Sequence, residues 1–323
     1  MTTKISKLED RLNRARGSMV GLACGDAIGT TAEFMPRGSF TPIADMVGGG
    51  PFNLVAGQFT DDTSMSLCLA SSLIENGFDL HDQMTRYVLW QTEGHFSSTG
   101  VCFDIGNATA AALDAFKRTG NAIAGSSDPH SAGNGCIMRL APVPIHYLDT
   151  PDLAIHLSEE QSRTTHQAAE CLMACRLLAE VLIRALQGKG KVEVLAPSQQ
   201  GLALSAGLQA IANGDYKTKT MVEIRGSGYT VESLEAALWC FYKTENFKDC
   251  VLMAANLGDD ADTTASISGQ IAGAFYGETG IPAEWLQKLT MGDEIGEIAE
   301  QLVLNKPSLN TINEIERVKR TSR

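Results

Sequence analysis

Two short acidic stretches, nearly two hundred residues apart, hold the densest sets of oxygen ligands in the chain. They read Phe59-Thr60-Asp61-Asp62-Thr63-Ser64 and Gly258-Asp259-Asp260-Ala261-Asp262-Thr263-Thr264. The first precedes Met65, Cys68, Leu69 and Leu73 at helical spacing; the second precedes a small-residue run from Ala265 to Tyr276. Thr60 or Asp61 is therefore expected to cap a helix, with the carboxylates at the positive end of its dipole. Capping needs one acid, and a second beside it adds repulsion unless a cation is held there. Asp and Thr oxygens without His or Cys are hard ligands, suited to Mg²⁺ or Mn²⁺. Each stretch alone reads equally well as a cap with solvated neighbours. Together they point to one shared metal site.

Other chemistry-bearing residues fall between them. Gly25-Asp26-Ala27-Ile28-Gly29 leads to Glu33 and reads as a glycine-rich turn presenting two acids seven apart, either as a solvated loop or to deliver Glu33 to the metal site. Asp104 lies between Phe103 and Ile105, an apolar setting in which an idle carboxylate is costly. The loop Ser131-Ala132-Gly133-Asn134-Gly135-Cys136-Ile137-Met138-Arg139 allows close backbone approach, and its amides suit a phosphate. It has neither the Lys-Ser/Thr of a P-loop nor the spacing of a dinucleotide fingerprint. His166, after Thr164-Thr165, is placed in the first turn of the next helix, as a cap or as a functional group. His95 reads as an exposed loop residue.

The elements that must position these residues read as helices throughout. Residues 6–24 form one that stops near Gly25, residues 80–118 form two around the loop at 94–100, and helical patterning resumes after a looser stretch at 188–222. No run alternates with period two between turns, so the expected fold class is all-α. The chain has 323 residues, 44% hydrophobic and 20% charged, enough for a sizeable core; its 31 glycines favour closely packed helices. One domain over residues 1–323 is expected, with a polar tail after about Pro307. A net charge of −12 argues against a nucleic-acid or anionic-membrane partner, and bound divalent cations offset part of it. The segment Leu172–Leu186 carries Arg176, Glu180 and Arg184 and is too polar for membrane insertion. The N-terminal residues are charged and read as no secretory signal. Eight cysteines, mostly in apolar segments and without a CxxC pair, read as buried thiols of a cytoplasmic protein.

Seven ordered blocks resemble the ADP-ribosylglycohydrolase family, most closely its bacterial dinitrogenase reductase-activating members. They are GSMVGLACGDAIGTTAE, GQFTDDTSM, SSTGVCFDIGN, AGNGCIMRLAPV, THQAAE, GSGYTVESLEAALW and NLGDDADTTASISGQIAGAFYG, running from about Gly17 to Gly277. The resemblance implies an all-α, single-domain orthogonal helix assembly with a dinuclear metal cleft. It implies that Glu33, Thr60, Asp61, Asp62, Asp260, Asp262 and Thr263 hold two divalent cations, Mg²⁺ or Mn²⁺. Asp104 then takes a direct part in the chemistry, together with the metal-bound Asp61. Asn107 and Tyr229 match substrate-contacting positions, and Gly133, Asn134, Gly135, Met138 and His166 fall on segments that hold ADP-ribose. Arg225 departs from the pattern, standing where some relatives carry lysine. The activity implied is removal of ADP-ribose from a modified protein side chain, with arginine the expected acceptor and ADP-ribose the product. Hydrolysis of O-linked ADP-ribose, on serine or as O-acetyl-ADP-ribose, is the enzymatic alternative. An immunity or binding protein on the same scaffold is the alternative from another class, and its expected signature, lost metal ligands, is not seen in the sequence.

Overall fold

In a computed structural model, which describes residues 2–198 and 203–305, the all-α expectation holds: fourteen α-helices and no strand occur among the described residues. They are α1 (Thr2–Gly29), α2 (Asp61–Asn76), α3 (Leu80–Glu93), α4 (Asn107–Thr119), α5 (Pro142–His146), α6 (Pro151–Ser162) and α7 (Ala169–Leu186). There follow α8 (Lys191–Val194), α9 (Ala206–Asn213), α10 (Thr230–Lys243), α11 (Phe247–Ala255), α12 (Ala261–Tyr276), α13 (Ala283–Lys288) and α14 (Gly292–Leu304). The tail expected after Pro307 lies outside the described residues.

The central contact is an antiparallel seam between α1 and α12. Gly17, Gly21, Gly25 and Gly29 recur every fourth residue of α1 and share one face. A Cβ at these positions would lie 2.3, 2.5, 2.2 and 2.3 Å from the carbonyl oxygens of Gly273, Gly269, Ala265 and Ala261 respectively. Backbone oxygens cannot swing aside, so the two axes keep this spacing only with glycine on α1. The helix therefore does not stop near Gly25 as the sequence suggested: that glycine is spent on close approach, and α1 runs on to Gly29. The second acidic helix likewise begins at Ala261, earlier than its apolar pattern indicated.

The seam sets the C-terminal end of α1 against the N-terminal end of α12. The next segment is strapped to the loop before α12, with Phe34 N–H donating to Asp259 O and Asp259 N–H to Met35 O, both at 2.8 Å. Arg37 donates to the carbonyl of Leu257 in that loop and to those of Met221 and Ile224 in the segment before α10. Around this pair the remaining helices enclose one continuous apolar core that includes Trp90, Phe241 and Trp285. None of the described helices is long and apolar enough to cross a membrane.

Candidate active site

Both acidic helix starts are capped in trans, by acids from α1 and its extension. Asp26 Oδ1 accepts from the Thr60 amide (2.8 Å) and hydroxyl (2.9 Å), and its Oδ2 from the Thr63 amide (3.0 Å) and hydroxyl (2.6 Å). Glu33 Oε2 accepts from the amides of Ala261 (2.8 Å) and Asp262 (3.3 Å). Thr60 and Asp260, the local N-cap residues, make no side-chain cap bond. With the helix ends satisfied from outside, Asp61, Asp62, Asp260 and Asp262 need not cap. Asp26 is the capping residue to which sequence reasoning gave no role of its own. Its signal was the seven-residue interval to Glu33 within a segment misread as a turn.

The two stretches meet. Thr60 Oγ1 lies 3.4 Å from Asp262 Oδ2, and the Thr263 hydroxyl donates to Asp62 Oδ2 at 3.3 Å. Carboxylate oxygens of Glu33, Asp260 and Asp262 lie within 4.8 Å of one another. A cavity of about 500 Å³ opens on this cluster, lined by Glu33, Phe34, Asp61, Asp104, Asp260, Asp262 and Thr263. Thr60 and Asp62 are fully buried behind its wall. Among the described residues none of these carboxylates is ion-paired with Lys or Arg. Burial, with the neighbouring acids adding to it, pushes Asp260 up to about 7 and Asp262 up to about 8, and lifts Glu33, Asp61 and Asp62 as well. Asp62 Oδ1 is buried and has no hydrogen-bond partner among the described residues. An orphaned oxygen and a set of hard, unneutralised donors fit divalent cations.

Asp104 sits half-buried on the same wall, at φ +58°, and shares a hydrogen bond with Asp262. Burial raises it to about 6. It stands outside the three-carboxylate cluster. Phe34 (φ +61°) and Asp259 (φ +60°), paired through their backbones, also occupy the left-handed region, so local strain gathers on this rim. Phe34 is 65% exposed, and edge-on contacts link it to Phe52 (6.2 Å) and Phe52 to Phe103 (5.2 Å).

Gly133, Asn134, Gly135, Met138 and His166 line the same cavity. Asn134 is partly engaged: its Nδ2 donates to Asp260 Oδ2 (3.0 Å) and Ser233 (2.9 Å), which orients a carboxylate of the cluster. A Cβ at Gly135 would lie 2.8 Å from His166 Cε1, so the glycine keeps the pocket open. His166 is not in a helical first turn; α7 begins three residues later, and the His166 amide is bonded to Ser162 O at 2.7 Å. A second cavity of about 880 Å³ shares Asn107, Ala108, Gly133 and Gly228 with the first and continues to Ala124, Pro129, His130 and Tyr229. Tyr229 lines only this larger cavity and donates its hydroxyl proton to Glu170 across it. Arg225 is exposed and lines neither, and His95 is exposed in its loop.

The family model for ADP-ribosylglycohydrolase matches residues 7–310. An ADP-ribosylarginine hydrolase, Tri1, of Pseudomonas putida (strain GB-1) is 45% identical over 94% of this chain and 82% of its own. The ADP-ribosyl-[dinitrogen reductase] glycohydrolase of Rhodospirillum rubrum is 34% identical over 86% of this chain and 91% of its own. A solved ADP-ribosylglycohydrolase-related protein complex superposes with a TM-score of 0.84 at 39% identity, covering 93% of this chain and 100% of that one.

Proposed function

The chain belongs to the ADP-ribosylglycohydrolase family, and from that premise we propose that it is a metal-dependent hydrolase removing ADP-ribose from modified arginine side chains. The observation that carries this is the acid cluster at the junction of α1, α2 and α12, opening on a cavity that runs on into a second, larger one. Both relatives described above are named for hydrolysing ADP-ribosylated protein, one of them at arginine.

Glu33, Asp61, Asp260, Asp262 and Thr263 are the residues to hold two divalent cations, Mg²⁺ or Mn²⁺, with Thr60 and Asp62 completing the set from behind. Bound divalent ions supply Lewis acidity, an activated water and positive charge for an anionic substrate. The chain's own residues do the rest. Gly133 and Gly135 admit the ligand backbone-close, and His166 faces it. Among the described residues the amide of Gly135, which lines the cavity, finds no backbone acceptor, which leaves a donor for a phosphate oxygen. Asn107 and Tyr229 flank the passage into the larger cavity, which has room for the nucleoside.

The acceptor side then falls at the other end, where Phe34 and Asp104 lie. Cleavage of the N-glycosidic bond forms a C–O bond from water and breaks the C–N bond, and the guanidine leaves with a proton. Asp104 is placed to move that proton, and the same transfer serves a route that first opens the ribose ring. The exposed face of Phe34 beside an acidic cleft suits a planar cation. That favours arginine over a hydroxyl acceptor.

The direct test is release of ADP-ribose from an ADP-ribosyl-arginine protein and from an ADP-ribosyl-serine peptide, with and without Mn²⁺ or Mg²⁺. Metal-dependent release from arginine alone is expected. Release from serine alone would move the assignment to the O-linked class, and tight binding without turnover would make the protein a binder.

A further inference from the structure

Arg139 is wholly buried, and among the described residues it has no carboxylate partner. Its guanidinium is held instead by neutral groups. Nε donates to Gln161 Oε1 (3.2 Å), and Nη2 donates to the hydroxyls of Thr164 (3.1 Å) and Thr165 (2.7 Å). The plane lies over the Tyr87 ring, 4.8 Å from its centre. A buried charge without a counter-charge is costly.

The Thr165 hydroxyl explains what it does. That oxygen also lies 2.8 Å from His166 Nδ1, and Thr165 is 1% exposed, so water does not complete its bonding. A guanidinium has no acceptor, so Arg139 must occupy a lone pair of Thr165. Among the described residues the hydroxyl proton then has a single acceptor in reach, His166 Nδ1. If Nδ1 carried the proton instead, the Thr165 proton would be left buried and unbonded. Nδ1 is therefore the unprotonated nitrogen, and Nε2 carries the proton. Burial, with a smaller contribution from the Arg139 charge, lowers the ring's pKa to about 4, so the ring is neutral. Nε2 has no protein partner among the described residues. It emerges between two glycines of the cavity wall, 3.2 Å from where a Gly133 Cβ would be and 3.3 Å from where a Gly135 Cβ would be.

We propose that Arg139 acts through Thr165 as a tautomer lock, which holds His166 as a fixed Nε2–H donor to an acceptor oxygen of the bound ADP-ribose. Arg139 and Thr165 are positioning residues, since neither lines the cavity. The identity of the ligand rests on the function proposed above, whereas the tautomer does not. The arrangement discriminates for oxygen acceptors without adding a titrating cation to the pocket.

The test is the imidazole nitrogen-15 spectrum of the full-length protein, with His166 assigned by the signals lost in His166→Gln. A protonated Nε2 and a bare Nδ1 are expected. In Thr165→Val, nearly isosteric, the two tautomers should mix, and ADP-ribose affinity should fall about tenfold. Thr165→Ser should restore both. Arg139→Met should mix the tautomers as Thr165→Val does; if it fails to fold, the threonine pair still decides. A parent spectrum with Nδ1 protonated, or Thr165→Val binding ADP-ribose as well as the parent, would overturn the lock. If the parent binds no ADP-ribose, the functional reading fails while the spectrum still decides the tautomer.

Discussion

Removing the Asp26 carboxylate should loosen α2 at the end that carries two of the site's acids. Asp26 is fully buried and accepts four hydrogen bonds, two of them from the Thr60 and Thr63 amides that open the helix. In Asp26→Ala the threonine hydroxyls can turn elsewhere, but the two amides are fixed by the backbone. At about 1–3 kcal/mol for each buried donor left unmade, the loss comes to about 3 kcal/mol. For a chain of this length that corresponds to a fall in Tm of about 4 °C. Asp26→Asn keeps an oxygen toward Thr60 but turns an NH₂ toward the Thr63 amide, so it should lose about half as much. Scanning calorimetry of parent and both variants, metal-free and in saturating Mn²⁺, gives the numbers. The variants should also bind Mn²⁺ more weakly, because Asp61 and Asp62 stand on the loosened turn. A Tm within about 1 °C of the parent in Asp26→Ala would refute the claim that α1 caps α2.

Gly25→Ala drives a Cβ to within 2.2 Å of Ala265 O, so it should cost about 2 kcal/mol in urea titration and weaken Mn²⁺ binding by shifting α1 along α12. Asp104→Asn should bind metal and ADP-ribose nearly as the parent does while single-turnover release falls ~10²–10⁴-fold; a rate near the parent's would remove Asp104 from the chemistry. Burial raises Asp260 to about 7 and Asp262 to about 8, so the folded, metal-free protein holds these protons more tightly than the unfolded chain does. Their contribution to stability is therefore full below the ordinary carboxylate range and is lost as pH rises through about 7 to 8. The metal-free Tm should fall from the ordinary carboxylate range up to about pH 8 and level off beyond it, and saturating Mn²⁺ should flatten the fall, which calorimetry in a pH series measures.

The acids of the site were legible in the sequence because clustered Asp and Thr at a helix start have few other uses. Their convergence was legible only as an inference from two similar stretches. What joins them is the α1–α12 seam, and there local reading failed for a physical reason. Gly25 looks the same whether it ends a helix or lets another backbone approach, and the difference lies in a partner 240 residues away. The fourfold recurrence of Gly17, Gly21, Gly25 and Gly29 was the usable sign, since helix terminators do not recur every turn. Asp26 was missed with it, because a residue placed in a turn cannot face the same way as one seven residues on. His166 was placed in a helix by the apolar stripe that follows it, although the Thr164–His166 segment is held by the distant Arg139 and by its own Thr165–His166 bond.

The claim on which all of this depends is that the two distant stretches form one metal site. Calorimetric titration of Mn²⁺ into the parent, Asp61→Ala and Asp262→Ala tests it most directly. Two ions bound by the parent, and loss or marked weakening of binding in each variant with both still folded, is the expected result. Unchanged stoichiometry and affinity in both variants would contradict it.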